Sequence, residues 1–212
     1  MLDTEAIFLS FKLALYTLAI MLPLGICLAH RLVRMGSAKP WLEALLALPL
    51  VLPPTVLGYY LLVGFGDVSL FGHPLAFSFE GILIASLIVN LPFAVQPIQR
   101  ALESINPEIR EAAQVSGLSQ WQIFRLIELP LAWRGVTSAA VMTFAHTLGE
   151  FGVILMVGGA IPGETKTVSI SIYDKVQGFD IAGAGLLSLL LLATSLIAIA
   201  LSYGILGRRK SC

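Results

Sequence analysis

Charged side chains are scarce in this sequence. Asp, Glu, Lys and Arg make up 12% of its 212 residues, about half the share usual in a soluble globular domain. With 57% hydrophobic residues and a mean hydropathy of +0.89, the chain cannot clothe itself in polar surface, which excludes an ordinary soluble fold. Cysteine is nearly absent. Cys27 lies within an apolar run and Cys212 is the last residue, so the sequence suggests neither a disulfide framework nor a Cys/His metal spacing. The phosphate-cradling pattern G-x-x-x-x-G-K-[ST] occurs nowhere, so any nucleotide chemistry belongs to another chain. A signal peptide is not expected either. "MLDTEAIF" places acids where a signal peptide carries cations, and the apolar stretch behind it is too long for one.

What the chain has instead is a series of long apolar runs. Five of them, about 6–28, 41–63, 81–101, 137–157 and 185–206, approach the roughly 20 residues that cross a bilayer. The third reaches Ala101 only with Arg100 at the interface. The expected fold is therefore all-α and polytopic, one transmembrane domain over residues 1–212 with no second globular unit. Pro23, Pro49, Pro53, Pro54 and Pro92 lie in or at the ends of these runs, each removing a backbone hydrogen bond and favouring a kink. Pro53-Pro54, followed by Thr55, is the sharpest such point.

An odd number of spans puts the termini on opposite sides. Arg31, Arg34, Lys39, Arg100, Arg110, Arg125, Arg134, Arg208, Arg209 and Lys210 fall on one side, and Lys12, Lys166 and Lys175 on the other. The richer side is expected to be cytoplasmic, with the N-terminus outside and the C-terminus inside. Only "GRRKSC" follows the last run, so no regulatory domain is expected on this chain. On the outer side, Val168, Ile172 and Val176 recur every four residues and suggest an interfacial helix.

Between the third and fourth runs the chain interrupts itself with "EAAQVSGLSQWQIFRLIELP", Glu111–Pro130. Asn106 is a good N-cap, Pro107 suits a first helical position, and Glu108 and Glu111 complement the helix dipole. Gly117 can end that helix at positive φ. Ser119 and Gln122 form a capping box for a second helix, along which Trp121, Phe124 and Ile127 make an apolar stripe and which Pro130 is expected to stop. Ala112 and Ala113 are small enough for another surface to approach the backbone closely. Periodicity leaves two readings open: a hairpin packed on its own membrane domain, or a helix that docks a partner.

Glu111, Ala112, Ala113, Gly117, Ile127, Leu129 and Pro130 occupy every position of E-A-A, three residues, G, nine residues, I, one residue, L-P. That pattern resembles the cytoplasmic motif of bacterial ABC importer permeases. The resemblance implies that this segment is a coupling helix docking into a groove on a separate ATPase. It also implies a homodimer around a central path, a type I importer permease fold, and two ATPase subunits that carry the ATP and magnesium. No cofactor is expected on this chain, and no nucleic acid among its partners.

Within "HTLGEFGVILMVGGAIPGETKTVSISIY", Glu150 falls inside the fourth run with His146 one turn earlier on the same face. A lone carboxylate there costs about 2.5–3.5 kcal/mol, so it is expected to face the bundle interior, a subunit interface or a water-filled cavity. A packing pair, a gate element helped by Gly149 and Gly152, and a proton or metal site remain open. Gly149–Gly152, Ile161–Thr167 and Ile172–Tyr173, with Leu48–Leu62, resemble the molybdate permease family, "PGETKT" being the main discriminator from sulfate permeases. This resemblance implies an extracytoplasmic molybdate-binding protein as a further partner, and the bacterial inner membrane as the location. Pro53, Pro54, Thr55, Thr143, Thr147, Gly149 and Glu150 are the candidate pathway or gate residues. Ser86, Asn90 and Ser138 add further hydroxyl and amide groups to the spans, though each hydroxyl could instead bond its own helix. The rivals are an ABC permease for sulfate or tungstate, and a proton-coupled secondary transporter using His146 and Glu150.

Overall fold

The computed structural model describes residues 3–66, 68–70 and 72–207. Arg208, Arg209, Lys210 and Cys212, invoked above, lie outside the described residues. Helix α1 (Thr4–Val33) opens on Asp3, whose Oδ1 accepts the Ala6 N–H at 3.1 Å. Its 30 residues give about 45 Å of rise. Pro23 is accommodated within it. Helix α4 (Phe79–Glu103) starts at the cap Ser78, whose Oγ accepts from Gly81 N at 3.1 Å, and absorbs both Pro92 and Pro97. Helix α11 (Ile181–Gly207) is apolar all round, and Leu186, Leu189, Leu192 and Leu196 are each more than half exposed. A face like that suits lipid or another subunit.

The second and fourth apolar runs are broken, which the run lengths alone did not reveal. Helices α2 (Lys39–Val51) and α3 (Pro54–Gly66) meet at 105° across Leu52-Pro53. Pro53 and Pro54 together offer no N–H to the preceding turn, so the α2 ladder ends there. A two-residue hairpin, β1 (Ser69–Leu70) with β2 (His73–Pro74), links α3 to α4. After α4 come α5 (Pro107–Val115), α6 (Gln120–Ile123), a π turn (Phe124–Glu128) and α7 (Leu129–Leu131). Helices α8 (Trp133–Gly149) and α9 (Gly152–Gly158) form the second bent pair, at 58°, and α10 (Val168–Gln177) precedes α11. Among the described residues three helices are long and apolar enough to cross a membrane, or up to five if each bent pair is one span.

Helices α1, α4 and α8 pack on one another, and with α9 and α10 they enclose two apolar clusters. One joins Leu13, Ile82, Val89, Val153, Ile154, Val157 and Ile170, with Leu57, Leu61 and Phe65 of α3 against it. The other joins Ala29, Leu32, Val95, Ile98, Leu102, Ile105 and Ala132, with Leu42 and Leu46 of α2 against it. The two arms of the 105° bend therefore serve opposite halves of the molecule. Between α1 and α4, Thr17 Oγ1 donates to Ser86 Oγ at 3.1 Å, and Asn90 Nδ2 donates to Ser86 O at 2.8 Å. Asn90 Oδ1 is left buried without a hydrogen-bond partner among the described residues.

Helix α10 exists as the spacing suggested, but its buried side is Val168, Ile170 and Ser171, while Val176 is exposed. Polar anchors explain the difference: Ser10 Oγ accepts from Val168 N at 2.8 Å, and Ser171 Oγ donates to Asp3 Oδ2 at 2.8 Å. At the turn into α11, Lys175 Nζ donates to Asp180 Oδ2 at 2.8 Å and Gly183 N donates to Oδ1 at 2.9 Å. The lysine bond, more than the backbone one, holds this exposed carboxyl below the 3.8 of a free aspartate.

Candidate functional site

The polar insert is built as its caps require. Asn106 Oδ1 accepts from Glu108 N at 3.0 Å to start α5, and Gly117 takes φ +82° just beyond its end. Ser119 N donates to Gln122 Oε1 at 2.8 Å and Ser119 Oγ accepts from Gln122 N at 3.4 Å, completing the capping box of α6. Ala113 is the one buried residue of α5, which leaves Glu111, Ala112 and Val115 on the surface with Gly117. Val115 is 90% exposed and Trp121 65%, so two large apolar side chains stand largely uncovered beside the glycine turn, Trp121 touching Phe124 on one side at 5.6 Å between ring centroids.

Two expectations for the second helix need correction. Pro130 does not stop it: the chain runs on through α7 towards α8. A wide turn makes this possible, because Leu129 N bonds to Phe124 O, five residues back, just ahead of the proline. The ring is thereby spared the clash that a tighter helical turn would impose. The same turn shifts the buried side to Ile123, Phe124 and Glu128, so the expected stripe fails: Trp121 is exposed and only Phe124 of the three is buried. Of the remaining motif positions, Ile127 and Leu129 are partly buried and Pro130 is exposed.

Glu128, not singled out from the sequence, is 2% exposed and holds the cationic end together. Its Oε1 accepts from Arg110 Nε at 2.6 Å; its Oε2 accepts from Arg34 Nη2 at 3.3 Å and lies 3.5 Å from His30 Nε2. Nearby, Lys39 Nζ bonds Glu103 at 2.8 Å, and Gln99 donates to Glu43 and Glu103. Arg34, Lys39 and Arg110 therefore gather at one end of the bundle. Asp3, Lys166 and Lys175 belong to the other, where Lys166 pairs with Asp174 at 2.7 Å.

The two helix breaks face each other. A Cβ on Gly152 would lie 2.6 Å from Pro54 Cβ, so only glycine lets α9 close on the start of α3. Beside this contact is a cavity of about 270 Å³ lined by Pro49, Leu52, Pro54, Leu57, Val89, Phe93, His146, Glu150 and Val153 among others. Pro54 and Glu150, two of the candidate pathway residues, thus share one space. Pro53, Thr55 and Gly149 are exposed, whereas Thr143 and Thr147 are buried in α8 and do not line that cavity. Thr147 Oγ1 donates to its own helix at Thr143 O, 2.8 Å, while Thr143 Oγ1 is buried with no hydrogen-bond partner among the described residues. Glu150 is far from lone: Oε1 accepts from Val153 N at 3.1 Å at the start of α9, and Oε2 is 3.6 Å from His146 Nε2. The His146 ring stacks on Phe93 at 4.1 Å.

Long and broken apolar helices around the His146–Glu150 pair, with a folded polar insert at the cationic end, define a polytopic membrane protein. A family profile described as "Binding-protein-dependent transport system inner membrane component" matches residues 21–211, and the chain belongs to that family. The chain is 43% identical over 191 residues to the molybdenum transport system permease protein ModB of Azotobacter vinelandii, covering 86% of this chain and 84% of that one. It is 36% identical over 211 residues to ModB of Escherichia coli K12, covering 94% and 92%. The sulfate transport system permease protein CysT of E. coli K12 is 32% identical over 163 residues, covering 74% of this chain and 59% of its own. Among solved structures, a bacterial alginate ABC transporter in complex with a periplasmic protein superposes with a TM-score of 0.78 at 20% identity, covering 98% of this chain and 79% of that one. At that identity the likeness speaks for the fold alone.

Proposed function

We infer that this chain is the membrane-spanning permease subunit of an ATP-driven importer, and that its cargo is molybdate. The observation that carries the cargo is identity of 36–43% to molybdenum permeases over 84–92% of their own length, against 32–36% over 59–71% of theirs for two sulfate permeases. The "PGETKT" loop, Pro162–Thr167, is consistent with that choice. Lys and Arg are nearly absent from the helices between the two ends, so a dianion would meet few cations on its way and be held weakly. Affinity then resides in a separate extracytoplasmic binding protein.

The working unit is a homodimer, each copy docking one ATPase through 106–130. Exposed Glu111, Ala112, Val115 and Gly117, with Trp121, form the contact face. ATP and magnesium are bound by the partner. Closure of the ATPase pair moves both inserts and biases the bent helix pairs between outward- and inward-facing arrangements. In this scheme α5 is the lever and the Pro54–Gly152 contact is a hinge between the bent pairs.

Uptake of labelled molybdate by the reconstituted complex, with unlabelled tungstate and sulfate as competitors, tests the cargo. Strong competition by tungstate and weak competition by sulfate is expected; potent competition by sulfate overturns the assignment. Gly117→Trp tests docking. The space around Gly117 is open, so the bundle accommodates the ring, but φ +82° disfavours any side chain and the indole intrudes on the contact face. Membrane insertion should persist while uptake and ATPase retention fall; normal uptake refutes the docking face.

A further inference from the structure

We propose that Glu128 is a positioning residue, an ionic latch through which displacement of α5 is passed to α1. This rests on the reading that α5 docks the ATPase. Helix α5 has little apolar purchase on the bundle, since Ala113 is its one buried residue. Its grip runs through Arg110, which donates from Nε to Glu128 Oε1 at 2.6 Å and from Nη2 to Leu102 O at 2.7 Å, in the last turn of α4. The other carboxylate oxygen of Glu128 accepts from Arg34 Nη2 at 3.3 Å, directly after α1. One buried carboxylate therefore joins the insert to α1, while Arg110 itself ties α5 to α4. The His30 ring packs on Phe124 at 4.0 Å, a second tie between α1 and the π turn.

Geometry favours transmission over simple stapling. Beside the cluster lies a cavity of about 220 Å³, bordered by Gln114 and Gln120 as well as the charged groups. Gln114 and Gln120 are exposed, so this is a cleft open on one side, into which α5 has room to shift against α1. The charged link stays the stiff part of the connection, because charge-assisted bonds to a buried carboxylate hold their geometry more strictly than exposed ion pairs. Arg110 pulls on one oxygen and Arg34 on the other, so moving α5 reorients the carboxylate and draws on the end of α1.

The test uses the whole complex, permease with its ATPase and binding protein, in proteoliposomes, and reads labelled molybdate imported per ATP hydrolysed. Glu128→Gln keeps the shape and loses the charge. Arg34→Gln, at a side chain 36% exposed, cuts only the α1 arm. Both should keep the ATPase bound at wild-type stoichiometry and go on hydrolysing ATP, with import per ATP lowered about fivefold, the low end of typical inter-site coupling. Arg34→Lys should restore part of it, and the double Gln variant should be no worse than Glu128→Gln alone. An unchanged ratio in Arg34→Gln overturns the latch, as do multiplicative losses in the double variant. If Glu128→Gln fails to assemble, Arg34→Gln and Arg34→Lys decide the matter by themselves. A Gly117→Trp complex that retains ATPase and full coupling refutes the docking reading separately, whatever the Arg34 variants do.

Discussion

Glu150 is a carboxylate in an apolar run whose oxygens are both engaged, one by the Val153 N–H and the other beside His146. Its first job is to cap α9. Glu150→Gln keeps an acceptor for that N–H and should leave thermal stability nearly unchanged. Glu150→Ala should lose about 1 kcal/mol, as capping residues do, a fall in Tm of about 2–4 °C for a chain of this size, measured by melting the detergent-solubilised protein. A large fall in the Gln variant would show that charge rather than capping matters. Asp180 gives a pH dependence. Its carboxyl titrates below the ordinary aspartate range because Lys175 bonds the charged form. The folded corner thus gains from the ionised group above that range and loses this support as pH falls through the depressed value. Protection of the Gly183 amide against hydrogen exchange, corrected for the intrinsic rate, should be flat from neutral to mildly acidic pH and drop only in strong acid.

Among the elements, end signals and motif positions were legible while breaks and registers were less so. Asn106, Pro107, Gly117, Ser119 and Gln122 state their roles locally, because a cap is a contact within a few residues. The π turn depends on how the chain reconciles Pro130 with a continuing helix, and no single residue announces it. Glu128 was opaque for a different reason: its partners Arg34 and Arg110 lie 94 and 18 positions away. The bend at Pro53 was anticipated as a kink, but its 105° angle depends on α2 and α3 packing into different halves of the bundle. Where Pro54 meets Gly152, Gly152→Leu should force α9 off α3. Overpacking of this kind costs about 1–3 kcal/mol, and transport should fall at least tenfold while the insert still binds its ATPase. Uptake at the wild-type rate would show that the two breaks need not touch.

For the whole molecule, polarity of the two ends follows from charge. Arg34, Lys39 and Arg110 meet at the end that bears the insert, and Lys166 and Lys175 at the other. In intact cells a cysteine replacing Gln177 should react with a membrane-impermeant thiol reagent, while one replacing Gln114 should react only after the membrane is opened. The reverse pattern would invert the topology. The π turn, finally, carries a consequence about chain length. Each residue advances a helix by about 100°, so the extra residue that the wide turn accommodates sets the rotational phase of the insert against α8. Deleting one residue between Phe124 and Glu128 would restore an even pitch and swing Gly117 and Trp121 about a quarter-turn around the axis. The number of residues in this stretch, as much as their kinds, decides which way the insert faces.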